Sequence, residues 1–288
     1  MSRYLGQHFL INKDKIKKIV EALDLKEGDT VIEIGPGHGE LTLLLARNFQ
    51  FPISNFRIIT IEKDKKLVQI LQKKFASDKN IRIIEGDALK ILPKLTKSYK
   101  LKAKSYKIVG NIPYYITGYL LRVLAELERK PSLIVLTIQK EVAQRIIALR
   151  QAQGKPRMNL LAASVQFWAE PEIIDYVSRK DFQPAPEVDS AVIKMMVRPA
   201  LPYREVPVLK TSKNYSKNYY RLIKILFKQP RKTILNNILE ADKRGSMRII
   251  EADKRGFLSK KLHKIGVSPS DRPENLSIKQ IRELSTLF

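Results

Sequence analysis

Thr30-Val31-Ile32-Glu33-Ile34-Gly35-Pro36-Gly37-His38-Gly39 is the stretch that decides the fold. Five residues of strand character run into a glycine-rich turn, and Leu41, Leu44 and Leu45 then recur at the spacing that buries one face of a helix. Strand, glycine turn and helix in that order predict the opening unit of a parallel α/β sheet. A dinucleotide fingerprint would place its third glycine at position 40, which is Glu40, and no Lys-Ser or Lys-Thr pair follows as in a P-loop. Glu33, just before the turn, suits a cationic ligand better than a pyrophosphate. S-adenosylmethionine, a sulfonium without phosphate, meets that demand. Taken alone, these residues also admit a purely structural turn.

Three further strand-like runs end in polar residues: Ile58 to Ile61 in Glu62, Ile81 to Ile84 in Glu85-Gly86-Asp87, and Ile108 to Gly110 in Asn111. The steps from Gly35 to Glu62, to Asp87 and to Asn111 are 27, 25 and 24 residues. Each is about the length of one βα unit, so all four groups should share the carboxyl rim of one sheet, where open α/β folds bind ligands. Glu62 is expected to accept from two ribose hydroxyls and Asp87 from an adenine amine. A carboxylate at a strand end can equally be a helix cap. Asn111-Ile112-Pro113-Tyr114 adds an amide acceptor, a proline that biases Ile112 to an extended conformation, and an aromatic face. That set suits a flat base with an exocyclic amine, although Asn and Pro are also ordinary turn formers.

With these motifs in hand, the chain resembles the KsgA-type small-subunit ribosomal RNA adenine dimethyltransferases, whose relatives include the Dim-type and Erm methyltransferases. The resemblance rests on Gly6-Gln7-His8-Phe9-Leu10, Glu33 to Gly39, Glu62-Lys63-Asp64, Gly86-Asp87-Ala88, Asn111 to Tyr114, and Phe182 to Val192. Arg231-Lys232-Thr233 with Asn236-Asn237, and Arg272 to Ser277, are similar to the C-terminal signature of the ribosomal branch. The resemblance implies that Gln7, His8, Leu10, Gly35, Gly37, Glu62, Lys63, Asp87, Ala88 and Asn111 hold S-adenosylmethionine. It further implies that Asn111, Ile112, Pro113 and Tyr114 receive the target adenine and that Phe182 covers its other face. Two positions depart from the common pattern: His8 and Tyr115 stand where many members have Asn.

Composition is compatible with this. Lys and Arg outnumber Asp and Glu by 54 to 29, a net charge of +25, which points to a polyanionic partner. Nucleic acid is the leading candidate, ahead of an anionic membrane surface, because no apolar run of transmembrane length or signal-peptide core is present. The absence of cysteine excludes disulfides and thiolate ligation, and His8, His38 and His263 form no spaced ligand motif, so no metal is expected. A cytoplasmic location and a monomeric state follow as expectations.

The pattern predicts an α/β sheet over residues 1–200 and a small all-helical domain over 201–288, joined near Pro199 to Pro207; the resemblance implies that the first is a Rossmann-like S-adenosylmethionine-dependent methyltransferase sheet and the second an RNA-binding domain. Strands are expected near 30–34, 57–62, 81–85, 106–110, 131–138, 161–169 and 190–198, with a leading helix at Lys13 to Leu25. Trp168 is read as a core ring. Late helices are expected at Tyr219 to Phe227, Thr233 to Leu239 and Leu276 to Leu287. Between Arg204 and Lys232 nine basic residues face one acidic residue, interleaved with Tyr215, Tyr219, Tyr220 and Phe227. Lys213, Lys217, Arg221, Lys224, Arg231 and Lys232 are the expected phosphate contacts, with the aromatic rings available to stack on unpaired bases; a solvated helical face is the other reading. A hexapeptide, Glu240 to Gly245, repeats at Glu251 to Gly256. Two copies do not make a solenoid, and the pair reads as a surface insertion whose glycines mark helix ends.

The resemblance implies the function expected here: dimethylation of two adjacent adenosines in the 3′-terminal hairpin loop of small-subunit ribosomal RNA, with the assembling small subunit as partner. An Erm-like enzyme of the large subunit and an assembly factor acting mainly by binding are the alternatives. Arg272 to Ser277 weighs against the first, and the intact Glu62, Asp87 and Asn111 weigh against the second.

Overall fold

A computed structural model describes residues 7–47, 57–97, 105–148, 157–198, 212–246 and 253–286. In chain order the elements are β1 (Phe9–Leu10), α1 (Lys13–Ala22), β2 (Thr30–Ile34), α2 (Glu40–Arg47), β3 (Arg57–Glu62), α3 (Lys65–Lys74), β4 (Ile81–Glu85), α4 (Ala88–Lys97), β5 (Tyr106–Asn111), α5 (Thr117–Glu126), β6 (Leu133–Gln139), α6 (Lys140–Ile146), α7 (Leu160–Gln166), β7 (Ala169–Val177), β8 (Phe182–Gln183), β9 (Ser190–Val197), α8 (Ser212–Leu226), α9 (Ile234–Lys243), α10 (Lys254–Lys264) and α11 (Ile278–Ser285).

Seven strands make one sheet in the order β4-β3-β2-β5-β6-β9-β7. The five from β4 to β6 are parallel, and β9 runs antiparallel to both β6 and β7. All five residues of β2 are buried, as a strand flanked on both sides and covered on both faces requires. Helix starts follow local chemistry. The Asn12 side chain accepts from the Asp14 and Lys15 amides at 3.0 and 3.2 Å to open α1, and Asp64 does the same for α3 with the Lys66 amide at 2.8 Å. A separate two-strand ribbon pairs β1 with β8, matching Phe9 to Gln183 and Leu10 to Phe182.

The chain divides into two compact units, one made of Met1–Ala143 with Ala169–Arg198 and the other of Gln144–Trp168 with Pro199–Phe288. A single boundary after residue 200 therefore gives way to three crossings. The cause is α7. The apolar run expected to be a strand at 161–169 is helical over Leu160–Gln166, opened by Asn159, whose side chain accepts from the Ala162 amide at 3.0 Å. Ala162 and Ala163 are small enough to sit fully buried in the core of the helical unit, among Tyr219, Leu222 and Ile238. The antiparallel edge is instead built from β9 and from Ala169–Val177, with Trp168 buried just before it. The junction near Pro199 to Pro207 lies outside the described residues.

The duplicated hexapeptide does two different jobs. Its first copy finishes α9, with Gly245 at φ 68° just beyond the end. The second copy starts α10: the Asp253 side chain accepts from the Gly256 amide at 2.9 Å and caps the helix, so Gly256 lies in the first turn and not beyond a C-terminus. The two copies also grip each other, Lys254 pairing with Asp242 at 2.5 Å.

Candidate active site

From β2 the chain winds outward through β3 to β4, and from β5 it winds the other way to β6, so the sheet reverses direction between β2 and β5. A cleft opens at the carboxyl ends of these strands, where such a reversal creates a crevice. It holds about 890 Å³ of space counted with its open mouth. Gln7, His8, Gly35, Gly37, Glu62, Lys63, Asp87, Ala88, Asn111, Ile112, Pro113, Tyr114 and Phe182 all line it. Leu10 does not. Paired with Phe182 across the ribbon, it is buried in the hydrophobic core. Phe9, Ile34, Ile61, Gly86, Tyr115 and Ile116 also line the cleft and were not anticipated. Ile34 ends β2 and Ile61 stands one residue before the end of β3, so strand position alone could have nominated them.

Glu62 is the most constrained carboxylate of the rim. One oxygen accepts from the Lys63 and Asp64 amides at 2.7 and 2.8 Å, the other from the Gly37 amide at 3.3 Å. It is only 3 % exposed, and burial raises its pKa against the lowering effect of those three amides. The Gly37 bond ties β3 to the turn after β2. That turn needs glycine: Gly35, Gly37 and Gly39 all have positive φ, and a Cβ on Gly37 would lie 2.7 Å from the Phe9 ring. The ring of Phe9 thus sits on the turn, 4.6 Å from the His38 ring. Asp87 opens α4 by accepting from the Leu89 amide at 2.9 Å and lies 3.7 Å from Lys63 Nζ.

Asn111 ends β5, and its Nδ2 donates to the His8 carbonyl at 2.7 Å. A carbonyl partner requires the nitrogen on that side, which fixes Oδ1 as the remaining acceptor of the amide. The Ile112 amide donates to the Thr137 carbonyl at 3.0 Å, and Pro113 begins the turn that carries Tyr114. The Tyr114 hydroxyl lies 2.9 Å from Ser190 Oγ, and its ring stacks on His8 with centroids 6.2 Å apart. Burial pushes the Tyr114 phenol above its ordinary range, so it stays protonated at neutral pH. His8 Nδ1 is 2.8 Å from the Pro184 carbonyl. Phe182 lines the cleft but is only 4 % exposed, packed with Val192 and Leu10.

Glu33 lies off this surface. Strand alternation gives Ile34 to the cleft, while Glu33 is buried and accepts from Thr42 Oγ1 of α2 at 2.6 Å. Burial raises its pKa to about 8, so at neutral pH it carries a proton and no charge. The expectation that it meets a cationic ligand does not hold.

On α8, Lys217, Arg221 and Lys224 are exposed at the spacing of one helical face, and Lys228 is exposed in the turn just after it. Arg231 and Lys232 follow, exposed, with Lys232 paired to Glu240 at 2.7 Å. The side chain of Lys213 lies outside the described residues. The aromatic half of the expected patch is not on that face. Tyr215 and Tyr219 are buried with Leu222, Ile223 and Leu226, the Tyr219 hydroxyl donates to the Ala163 carbonyl at 2.8 Å, and its ring stacks on Phe167 at 4.1 Å. The interleaving of Lys and Tyr is the signature of an amphipathic helix, which sends the two residue types to opposite sides. The C-terminal motif residues act within this unit: Thr233 caps α9, the Asn237 amide donates to the Gln229, Lys232 and Thr233 carbonyls, and Glu274 pairs with Arg157 at 2.8 Å. Among the described residues no group of three or more His, Cys, Asp or Glu side chains is arranged to hold a metal ion, and no helix is long and apolar enough to cross a membrane.

The family model described as ribosomal RNA adenine dimethylase matches residues 1–262. A relative named ribosomal RNA small subunit methyltransferase A from Dehalococcoides mccartyi is 36 % identical over 284 residues, covering 99 % of this chain and 87 % of its own length. One of the same name from Mycoplasma capricolum is 32 % identical over 287 residues, covering 99 % and 97 %. Among solved structures, a dimethyladenosine transferase from Plasmodium falciparum superposes with a TM-score of 0.72 at 23 % identity, covering 96 % of each chain. The 23S rRNA methyltransferase ErmE gives 0.69 at 22 %, covering 96 % of this chain and 98 % of its own. At those identities the two structures establish the fold alone.

Proposed function

This chain belongs to the ribosomal RNA adenine dimethylase family, and from that premise we propose that it dimethylates the N6 amines of two adjacent adenosines in the 3′-terminal hairpin loop of small-subunit ribosomal RNA. S-adenosylmethionine is the proposed donor. Bound, it supplies a methyl group already activated on a sulfonium. The residues present fit such a group: Glu62 and Asp87 offer carboxylates for hydroxyl and amine donors, the glycine turn lets backbone come close, and the neighbouring cation Lys63 lies beside Asp87 instead of standing apart as a phosphate anchor.

The observation that carries the reading is the bond from Asn111 Nδ2 to the His8 carbonyl. The exocyclic nitrogen of adenine is a poor nucleophile because its lone pair is delocalised into the ring. Asn111 Oδ1, with its nitrogen committed elsewhere, and the Ile112 carbonyl would accept the two amine hydrogens and direct the lone pair. Tyr114 offers the ring on which the base rests, its hydroxyl anchored by Ser190. The base has to leave its own stack to arrive there. Neither a protonated Tyr114 nor a neutral Glu33 is placed to remove a proton beforehand, and positioning carries the rate.

A small-subunit particle is the proposed partner, the basic face of α8 its phosphate contact, and the monomer the working form; a cytoplasmic location follows from such a substrate. The relatives at 32–36 % identity named for the small subunit favour this over a large-subunit substrate. Single-turnover methylation of a small-subunit particle, with RNA binding measured in parallel, tests it. Asn111→Ala should slow transfer about a hundredfold or more while leaving RNA affinity nearly intact, the pattern of an interaction made in the transition state. Near-normal turnover in that variant, or no methylation by the native chain, would sink the reading.

A further inference from the structure

The two most exposed large hydrophobic side chains among the described residues are Tyr119, 68 % exposed, and Tyr115, 57 %. They stand one helical turn apart, and Tyr115 lines the mouth of the cleft immediately after Tyr114. Val188, 45 % exposed, lies at the same rim, its carbonyl 3.5 Å from the Tyr114 hydroxyl. Elsewhere the exposed apolar side chains are single aliphatic residues or a tyrosine already covered by a cation, as Tyr176 is by Lys140 at 5.2 Å. Two exposed phenol rings, one in the short helical turn before α5 and one in the first turn of α5, beside a pocket for a flipped base, form a surface with a direction. The rings that looked suited to stacking, Tyr215 and Tyr219, are buried in the helical unit, so a stacking surface for RNA has to come from other residues.

We propose that Tyr115 and Tyr119 form an aromatic step that stacks the unpaired nucleotide next to the target adenosine while that adenosine occupies the cleft. The proposal rests on the RNA-methyltransferase reading above. Three observations converge on a nucleobase as occupant. The step is continuous with the cleft that takes the target. A nucleotide whose neighbour has been flipped out loses a stacking partner and gains from a replacement. Flat π faces on a strongly basic chain suit single-stranded RNA regardless of which base is presented. Two adjacent targets would make the step doubly useful, because the base waiting outside is itself the next substrate.

The experiment uses the full chain and a hairpin RNA carrying 2-aminopurine beside the target adenosine. Native protein should quench the probe on binding. Tyr119→Ala, whose side chain does not line the cleft, should abolish most of that quenching and raise the KM for RNA about tenfold, far more than it lowers kcat. Tyr119→Phe should restore both. Tyr115→Ala should behave like Tyr119→Ala, and circular dichroism should show both variants folded, as exposed positions allow. Unaltered quenching and KM in the double alanine variant would overturn the step. So would failure of the Phe variant to rescue, or an effect seen only with whole particles, which would mark a protein contact. Loss of methylation by the native chain would instead refute the underlying activity, so the two failures are distinguishable.

Discussion

The rim of the sheet and the exposed face of α8 both carry charge, but they hold it in contrasting ways. Glu62 accepts from three backbone amides, Asp87 caps a helix, and Asn111 is tied to a carbonyl 103 residues away. Lys217, Arg221 and Lys224 instead project from a helix whose other side is locked into a core. Chemistry needs groups that do not reorganise when charge moves. Phosphate recognition needs only positive potential at roughly the right place, and flexible cations supply it. The contrast implies that rim variants should change discrete steps by large factors, and helix-face variants should change one smooth property by small increments.

The sharpest way to break that contrast is Glu62. Replacing it by Ala should weaken S-adenosylmethionine binding by about 1.5–3 kcal/mol, the range for hydrogen bonds to a charged group. Glu62→Gln should recover little, because its amide nitrogen cannot accept from Gly37 or from a hydroxyl. Isothermal titration that found native affinity in a folded variant would remove Glu62 from the site.

Glu33 gives a smaller, pH-dependent effect. A carboxyl with a folded-state pKa of about 8 against an ordinary value of 4.5 takes up a proton on folding throughout that interval, so it costs stability increasingly as pH rises from about 4.5 to 8. Glu33→Gln mimics the protonated form and should be more stable than the native chain at pH 8 and converge with it at pH 4. Urea denaturation across that range decides it, and parallel curves would mean Glu33 titrates normally. The smallest effect per residue belongs to the helix face. Neutralising Lys217, Arg221 and Lys224 together should flatten the salt dependence of RNA binding by about 0.7 per lost phosphate contact, with cofactor affinity unchanged. An unaltered slope would reduce that face to a solvated surface.

Much of the rim was legible because its signal is periodic: polar residues recur where strands stop, and the βα spacing puts them on one edge. Glu33 was misassigned because a glycine turn says where a ligand approaches, not which of two adjacent side chains alternation sends toward it. The run at 160–166 was misread since a short apolar segment fits strand and helix alike, and Asn159, a good N-cap, was the discriminating residue. Tyr215 and Tyr219 show the reverse error. Their four-residue spacing already placed them on one helical side, and composition was allowed to outweigh it. The hexapeptide is the limiting case, since identical residues end one helix and begin another and only context separates the two.

The bond from Asn111 to His8 also sets an order in time. A ribosome makes residue 8 first and residue 111 much later, and the His8 ring waits longer still for the Pro184 carbonyl, 176 residues downstream. The strap that holds the Asn111 amide pairs through Phe9 and Leu10 with Gln183 and Phe182. A nascent chain can therefore close the glycine turn and stack its first strands while its earliest segment still lacks its β8 partner. On the proposed reading, chemical competence waits for the contacts of longest sequence separation, which are the ones that loop-closure entropy delays most. A copy that stops short of β8 holds parts of the pocket without the paired strap, so on that reading the Asn111 amide is held in place only once the later strands are made.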